Sequence, residues 1–331
     1  MLRHLSIRLV TGLGIVLLVT TFTFILISVA PGDPARLWVG PGAGAEELEA
    51  TRHALGLDRP LVVRYVSWLG NFARGQWGTS LAQQRPVAQM IAAAVPHTLL
   101  LSTASLLLTY VFGVLIGTIQ AMKRRSPLDT GLTVTSLMVY GMPAYWLAIM
   151  LVLVFSYGAV RLGWPSWLQF PALGVAGLDA DFLSPWGRVV DRVRHLVLPL
   201  VTLTAIGAAG TARFVRGAVI DVRGGGFVRT ARAKGLHPAT IESRHVLRNA
   251  LLPIVTLLGL SLPALFSGTV FVEVIFAWPG IGRVMVGAVG ARDYPVVLAT
   301  TTIFASLVVA GNLLADLLYA AVDPRLRQQS S

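Results

Sequence analysis

The feature that most limits what this chain can become is a series of long apolar runs with no charged residue inside them. Leu9–Ala30 lies between Arg8 and Asp33, His97–Met122 precedes the basic turn Lys123-Arg124-Arg125, and Thr130–Tyr157 carries no charge at all. Leu196–Thr211 is shorter and bounded by Arg194 and Arg213. Leu251–Val272 ends at Glu273, and Pro295–Ala315 ends at Asp316, with apolar character continuing to Val322. A helix crosses the hydrocarbon core of a bilayer in about 20 residues. The six runs predict an all-α polytopic membrane protein with six transmembrane helices.

Composition agrees. Hydrophobic residues make up 55% of the 331 positions and charged residues 13%, where a soluble domain carries about 25%. The net charge of +12 rests on 27 Lys and Arg, of which only Lys123 and Lys234 are lysines. Such a balance in a soluble chain points to nucleic acid. Here the basic residues sit mostly between apolar runs, so the partner they imply is the membrane lipid surface and no nucleic acid. Cysteine is absent, which excludes a disulfide framework, a thiol nucleophile and a thiolate metal site.

Lys and Arg accumulate on the cytoplasmic side of membrane proteins. With the N-terminus inside, 15 of the 27 fall in the cytoplasmic pieces: Arg3 and Arg8, Lys123 to Arg125, eight between Arg213 and Arg248, then Arg325 and Arg327. Both termini are expected in the cytoplasm of a bacterial-type inner or plasma membrane. Leu9–Ala30 is longer than a leader's apolar core of about 7–15 residues, and Pro31 follows Ala30 directly, so it reads as a retained span.

The connections divide the chain into 1–95 (first span and a long outer loop), 96–324 (five further spans) and a tail, 325–331. In the outer loop, Glu46–Leu55 carries helical signals, Leu55–Leu61 makes a turn, and Val62–Phe72 has amphipathic spacing with aromatic belt residues. This loop is either a structural cap on the membrane or a docking surface for a delivery protein. Trp278-Pro279-Gly280-Ile281-Gly282 is a turn-rich re-entry, either a tight cap on the bundle or a gate. Glu273 and Asp316, at span ends, either sit at headgroup level or face an aqueous path.

Between two apolar runs lies the basic segment Val228–Leu236. It predicts a short helix ending at Gly235, with a second helix from Pro238 to about Leu247, inside a cytoplasmic loop of about 222–250. Gly is the default residue where a chain leaves a helix with positive φ, and Pro suits a first helical position. No enzyme motif accompanies it. There is no P-loop, since neither lysine follows a glycine-rich loop, and no Gly-x-Ser-x-Gly. The six histidines show no metal-ligand spacing, and His237 and His245 read as cap or surface residues. Gly224-Gly225-Gly226 reads as a hinge.

This segment resembles the EAA loop of type I ABC importer permeases, in the wording of the B-type permeases of dipeptide and oligopeptide systems. Gly235 takes the motif glycine, and Arg229, Thr230 and Ala231 take the places of Glu-Ala-Ala, followed by Arg232, Ala233 and Lys234. The general Leu-Pro downstream appears as Leu247-Arg248, and Gly226-Phe227 stand where Asp-Tyr is usual. Pro31-Gly-Asp-Pro34, Leu55-Gly-Leu-Asp58, Gly75-x-x-Gly-x-Ser80, the Trp278 turn and Asn312-Leu-Leu-Ala-Asp316 are similar to the same branch. The resemblance implies a type I importer permease fold and an ATPase-coupling loop at Arg229–Gly235 with Pro238. Apart from the resemblance, Glu273, Trp278, Pro279, Gly280 and Asp316 stand as the candidate substrate path or gate. The partners implied are a C-type permease, two ATP-binding subunits that hold ATP and Mg, and an extracytoplasmic substrate-binding protein. This chain is then expected to bind no cofactor or metal and to hydrolyse nothing. Nickel or glycosides are alternative cargo for the same machine. A passive channel and a membrane enzyme acting in the outer loop are the rival classes, and ATPase assays with and without partner subunits separate the latter.

Overall fold

A computed structural model describes residues 2–30, 33–40, 42–261 and 269–322. Among them every regular element is a helix. In chain order these are α1 (Leu2–Val29), α2 (Pro34–Val39), α3 (Ala45–Ala54), α4 (Leu61–Ala73), α5 (Val87–Met122) and α6 (Pro127–Gly141). Then come α7 (Ala144–Arg161), α8 (Pro185–Arg223), α9 (Gly226–Ala233), α10 (238–261), α11 (Val270–Ile275), α12 (Ile281–Gly290) and α13 (Tyr294–Val322). Five are long and apolar enough to cross a membrane: α1, α5, α7, α8 and α13. The sixth expected span, Leu251–Val272, runs through residues 262–268, outside the described residues, as does the tail 325–331.

Local chemistry explains where helices start. Asp33, Ser126 and Ser184 cap α2, α6 and α8 by accepting the N–H of Ala35, Asp129 and Gly187 at 3.0, 3.2 and 3.1 Å, and each is followed by proline at the first helical position. Two expectations need correction. Thr130–Tyr157 is not one span: the chain breaks after Gly141, with Met142 extended at ψ 133°, because the Pro143 ring clashes with a helical residue before it. The second helix of the basic segment does not stop near Leu247. It widens into a π-helical turn over Ile241–Leu247 and continues to Ser261.

The chain forms two compact units. One contains 1–99 with Pro279–Leu313, so α12 and most of α13 pack with the N-terminal part, which division at residue 95 does not anticipate. Its core joins Val87 and Ile91 to Val296 and Ala299. Beside it, buried Asp293 accepts from the Ser80 hydroxyl and from the N–H groups of Leu81 and Ala82 at 3.1 and 3.2 Å. The glycines of Gly75-x-x-Gly-x-Ser80 adopt φ of 79° and 83°, which feeds that serine into place. The faces of α1 are largely apolar and exposed, Val10 and Leu18 at 69% each, as suits a helix covered by lipid.

The other unit contains residues 100–278 and the end of α13. Here α5 and α8 pack through small residues. A Cβ on Gly113 would lie 2.6 Å from the Thr211 Cβ, one on Gly117 2.5 Å from the Ala212 carbonyl, and one on Gly207 2.6 Å from the Thr109 hydroxyl. Such contacts let membrane helices approach backbone to backbone. One core in this unit gathers Ala121, Val215, Val219, Val228, Ile241, Val246 and Ile254, and another gathers Leu101, Ala148, Leu198, Val272, Phe276 and Trp278.

Candidate functional site

The basic segment forms a projecting knob. Along α9, Val228 and Ala231 are buried against Val215, Val219 and Val246, while Arg229, Thr230, Arg232, Ala233, Lys234 and Gly235 are exposed. The apolar positions are three apart and the basic ones lie between them, so one helix face is anchored and the other is left outside. The helix ends in a Schellman motif. Leu236 donates to the Ala231 carbonyl at 3.3 Å and Gly235 to the Arg232 carbonyl at 2.9 Å, with Gly235 at φ 72°. His237 then caps the next helix, its Nδ1 accepting the Ala239 N–H at 3.3 Å, and Pro238 takes the first helical position. Of the expected hinge, Gly224 closes α8 and Gly225 caps α9; Phe227 packs where a Gly225 Cβ would be, 2.8 Å away.

The knob is braced at its base. Arg223, at the end of α8, donates to the Ala121 carbonyl at 2.9 Å and pairs with Glu242 at 2.7 Å, tying α5, α8 and α10 together. Two turns earlier, Arg216 reaches Asp129 through two hydrogen bonds of 2.8 and 2.9 Å. Those bonds hold the Asp129 carboxyl down to about 2, against the opposing effect of burial, with help from the Arg125 N–H and the Thr133 hydroxyl. Sequence reasoning missed both pairs.

The chain matches two family models. Residues 113–328 fit "Binding-protein-dependent transport system inner membrane component", and residues 1–102 fit the N-terminal model of the same membrane components. The chain belongs to this family. Among relatives of this inner membrane component, it is 40% identical to the oligopeptide transport system permease protein AppB of Bacillus subtilis, covering 96% of this chain and 97% of AppB. It is 39% identical to the di/tripeptide transport system permease protein DppB of Pseudomonas aeruginosa (99% and 98%). It is 36% identical to the glutathione transport system permease protein GsiC of Escherichia coli K12 (99% of each). A crystal structure of an amino acid ABC transporter with histidines shares the fold at TM-score 0.51 and 16% identity, over 69% of this chain and 92% of that one.

The second set of expected residues divides. In this inner membrane component Glu273 is fully buried and its Oε1 accepts the Thr269 hydroxyl at 3.1 Å. Its backbone carbonyl accepts the Trp278 N–H at 2.8 Å, closing the turn after α11. Trp278, 2% exposed, packs with Leu101, Leu198 and Phe276. Pro279 begins the other unit and Gly280 caps α12. Asp316 lies half-buried on α13. Glu273 and Trp278 therefore form one turn, and the exposed knob is a separate feature.

Proposed function

We propose that this chain is one of two permeases forming the path of an ATP-binding cassette importer for di- and oligopeptides, and that the Arg229–Pro238 knob is where an ATPase subunit grips it. The observation that carries this reading is the knob itself. Its apolar face is anchored, its basic face is free, and Gly235 and the Arg223–Glu242 pair fix its direction. The names of the relatives favour peptides, glutathione included, over nickel and glycosides.

In this reading the partners are a second, C-type permease, two ATP-binding subunits that hold ATP and Mg, and an extracytoplasmic binding protein. Both termini and the knob face the cytoplasm. ATP closes the ATPase pair, the knob is displaced, and helices carried by α8 shift between outward and inward access. The motor can bias that equilibrium only through contacts that differ between the two states. Glu273 and Trp278 belong to the frame beside the path, Pro279 and Gly280 lead from it, and Asp316 is the acid that retains accessible surface.

Substituting Gly235→Asp tests the coupling role. The complex should insert, yet either lose the ATPase subunits on co-purification or hydrolyse ATP without uptake into vesicles. Coupled uptake at the wild-type rate overturns the reading. Orientation is checked separately with impermeant thiol reagents. Cysteines placed at Glu47 and Ala176 should label from outside and one at Gly225 only from the cytoplasm.

A further inference from the structure

The geometry points to a phospholipid headgroup as the missing partner of a cavity in the unit that contains the N-terminus. The cavity encloses about 910 Å³, within the range of small-molecule sites. Its walls include Ser28 near the end of α1, the stripe Arg64, Ser67, Trp68 and Asn71 of α4, and Tyr294 at the start of α13. The spacing of the α4 residues places them on one helix face. The opposite face carries Val62 and Val66, 72% and 61% exposed.

An accounting of polar groups shows what is lacking. The acids in the wall all have partners: Asp33 and Glu49 pair with Arg52 at 2.6 and 3.1 Å, and Asp58 with His53 at 3.1 Å. Burial alone would raise the Asp33 carboxyl, but the Arg52 hydrogen bonds and charge and the Ala35 N–H outweigh it and hold it below the usual carboxylate range. Two buried groups of the wall remain without partners, and both can donate. The Trp68 indole N–H and the Tyr294 hydroxyl are buried without a hydrogen-bond partner among the described residues. The half-buried Arg64 makes no ion pair among them. Trp77 offers the contrast. It and Trp68 both stack on Phe72, at 5.2 and 5.1 Å, but Trp77 gives its N–H to the Phe72 carbonyl at 3.1 Å.

An indole and a guanidinium only donate, and buried donors are normally satisfied. The absent group is therefore an acceptor, and Arg64 makes it an anionic one, an oxyanion. Depth identifies its source. The cavity opens beside the last turns of a membrane-crossing helix and behind an amphipathic helix whose apolar face suits the headgroup boundary. That is where the phosphate of a phospholipid lies. This inference is independent of the cargo and of which side of the membrane the loop faces.

The test is native mass spectrometry of the assembled, delipidated importer titrated with short-chain phosphatidylglycerol. Wild type should retain one lipid. Arg64→Gln, Trp68→Phe and Tyr294→Phe should each weaken retention roughly tenfold, the scale of one charge-assisted hydrogen bond. Arg161→Gln, outside the cavity, should leave retention unchanged. Without lipid, Tyr294→Phe should melt no lower than wild type, since it removes only a buried hydroxyl that lacks a partner, so weaker retention by that variant is not unfolding. Equal retention by the three variants overturns the proposal. So does displacement of the lipid by millimolar inorganic phosphate or dialanine, which would assign the cavity to a soluble oxyanion.

Discussion

At Gly235 and at Ala277 the chain leaves a helix by the same hydrogen bonds. In the first, the N–H groups of Gly235 and Leu236 return to the carbonyls of Arg232 and Ala231; in the second, those of Ala277 and Trp278 return to Val274 and Glu273. Both pivots have positive φ, 72° and 50°. Their surroundings are opposite. Apart from its own chain neighbours, no atom lies within 4 Å of where a Gly235 Cβ would be, and the residues around it are exposed. Ala277 is flanked by Phe276 and Trp278, 1% and 2% exposed, and the Phe276 carbonyl is held by the Gly174 N–H at 2.8 Å. Where packing dictates the backbone, an alanine is kept in a region that costs an L-residue about 1–2 kcal/mol. Where nothing packs, the residue itself must tolerate the conformation, and glycine does.

The largest expected effect removes the packing. Trp278→Ala empties a buried aromatic site and should destabilise the permease by about 3 kcal/mol or more. The measurement is the melting temperature in detergent, with yield of monodisperse protein as a second readout. A melting temperature matching wild type would mean that the buried turn holds itself, and the contrast with Gly235 would fail.

The next effect concerns charge, because the base of the knob rests on ion pairs where the Ala277 turn rests on packing. Asp129 has its carboxyl depressed to about 2 from an ordinary 3.8. A group whose folded value is depressed stabilises the fold above its unfolded value, and that contribution is lost as pH falls through the folded value. The Asp129–Arg216 pair should therefore stabilise fully above about pH 4 and fade toward pH 2. Solvent screening at the partly exposed Arg216 keeps this on the order of 1–2 kcal/mol. Asp129→Asn should melt below wild type at pH 6, and the two should converge near pH 2. A gap that persists at pH 2 would show that the pair is not its source.

The same contrast explains what the sequence made legible. The knob could be read because its instructions are local: apolar residues three apart, a glycine at the exit, a proline at the next entry. The helices of the outer loop were local in the same sense, and α3 and α4 lie within a residue or two of expectation. The break at Met142-Pro143 was also written in the chain, but a window of uncharged residues runs straight over it. Asp129 and Arg216 are 87 positions apart, and nothing in either neighbourhood names the other. Gly113 and Gly117 announce a close approach without saying which helix arrives. Glu273 carries no mark of burial, since its position at the end of an apolar run suits a headgroup equally well. Ala277 was the least legible residue, because alanine does not advertise positive φ, and only the packing of Phe276 and Trp278 puts it there.

The smallest effect inverts the two pivots. Gly235→Ala places a Cβ on an exposed residue at φ 72°, with room for the atom but not for the conformation, and should cost about 1 kcal/mol. Ala277→Gly relieves the corresponding strain at φ 50°, while adding freedom to the unfolded chain and removing a methyl group. These terms oppose one another, so the net change should be a gain of less than about 1 kcal/mol. The informative quantity is the sign. Alanine should be the worse residue at both positions, although the protein uses it at one of them. Melting temperatures of the two single variants and the double variant provide the check, and the effects should add because the two turns adjoin separate cores and share no packing partner. If Ala277→Gly instead lowers the melting temperature by more than Gly235→Ala does, the buried turn depends on its alanine methyl for packing, and strain at that residue is not what distinguishes the two reversals.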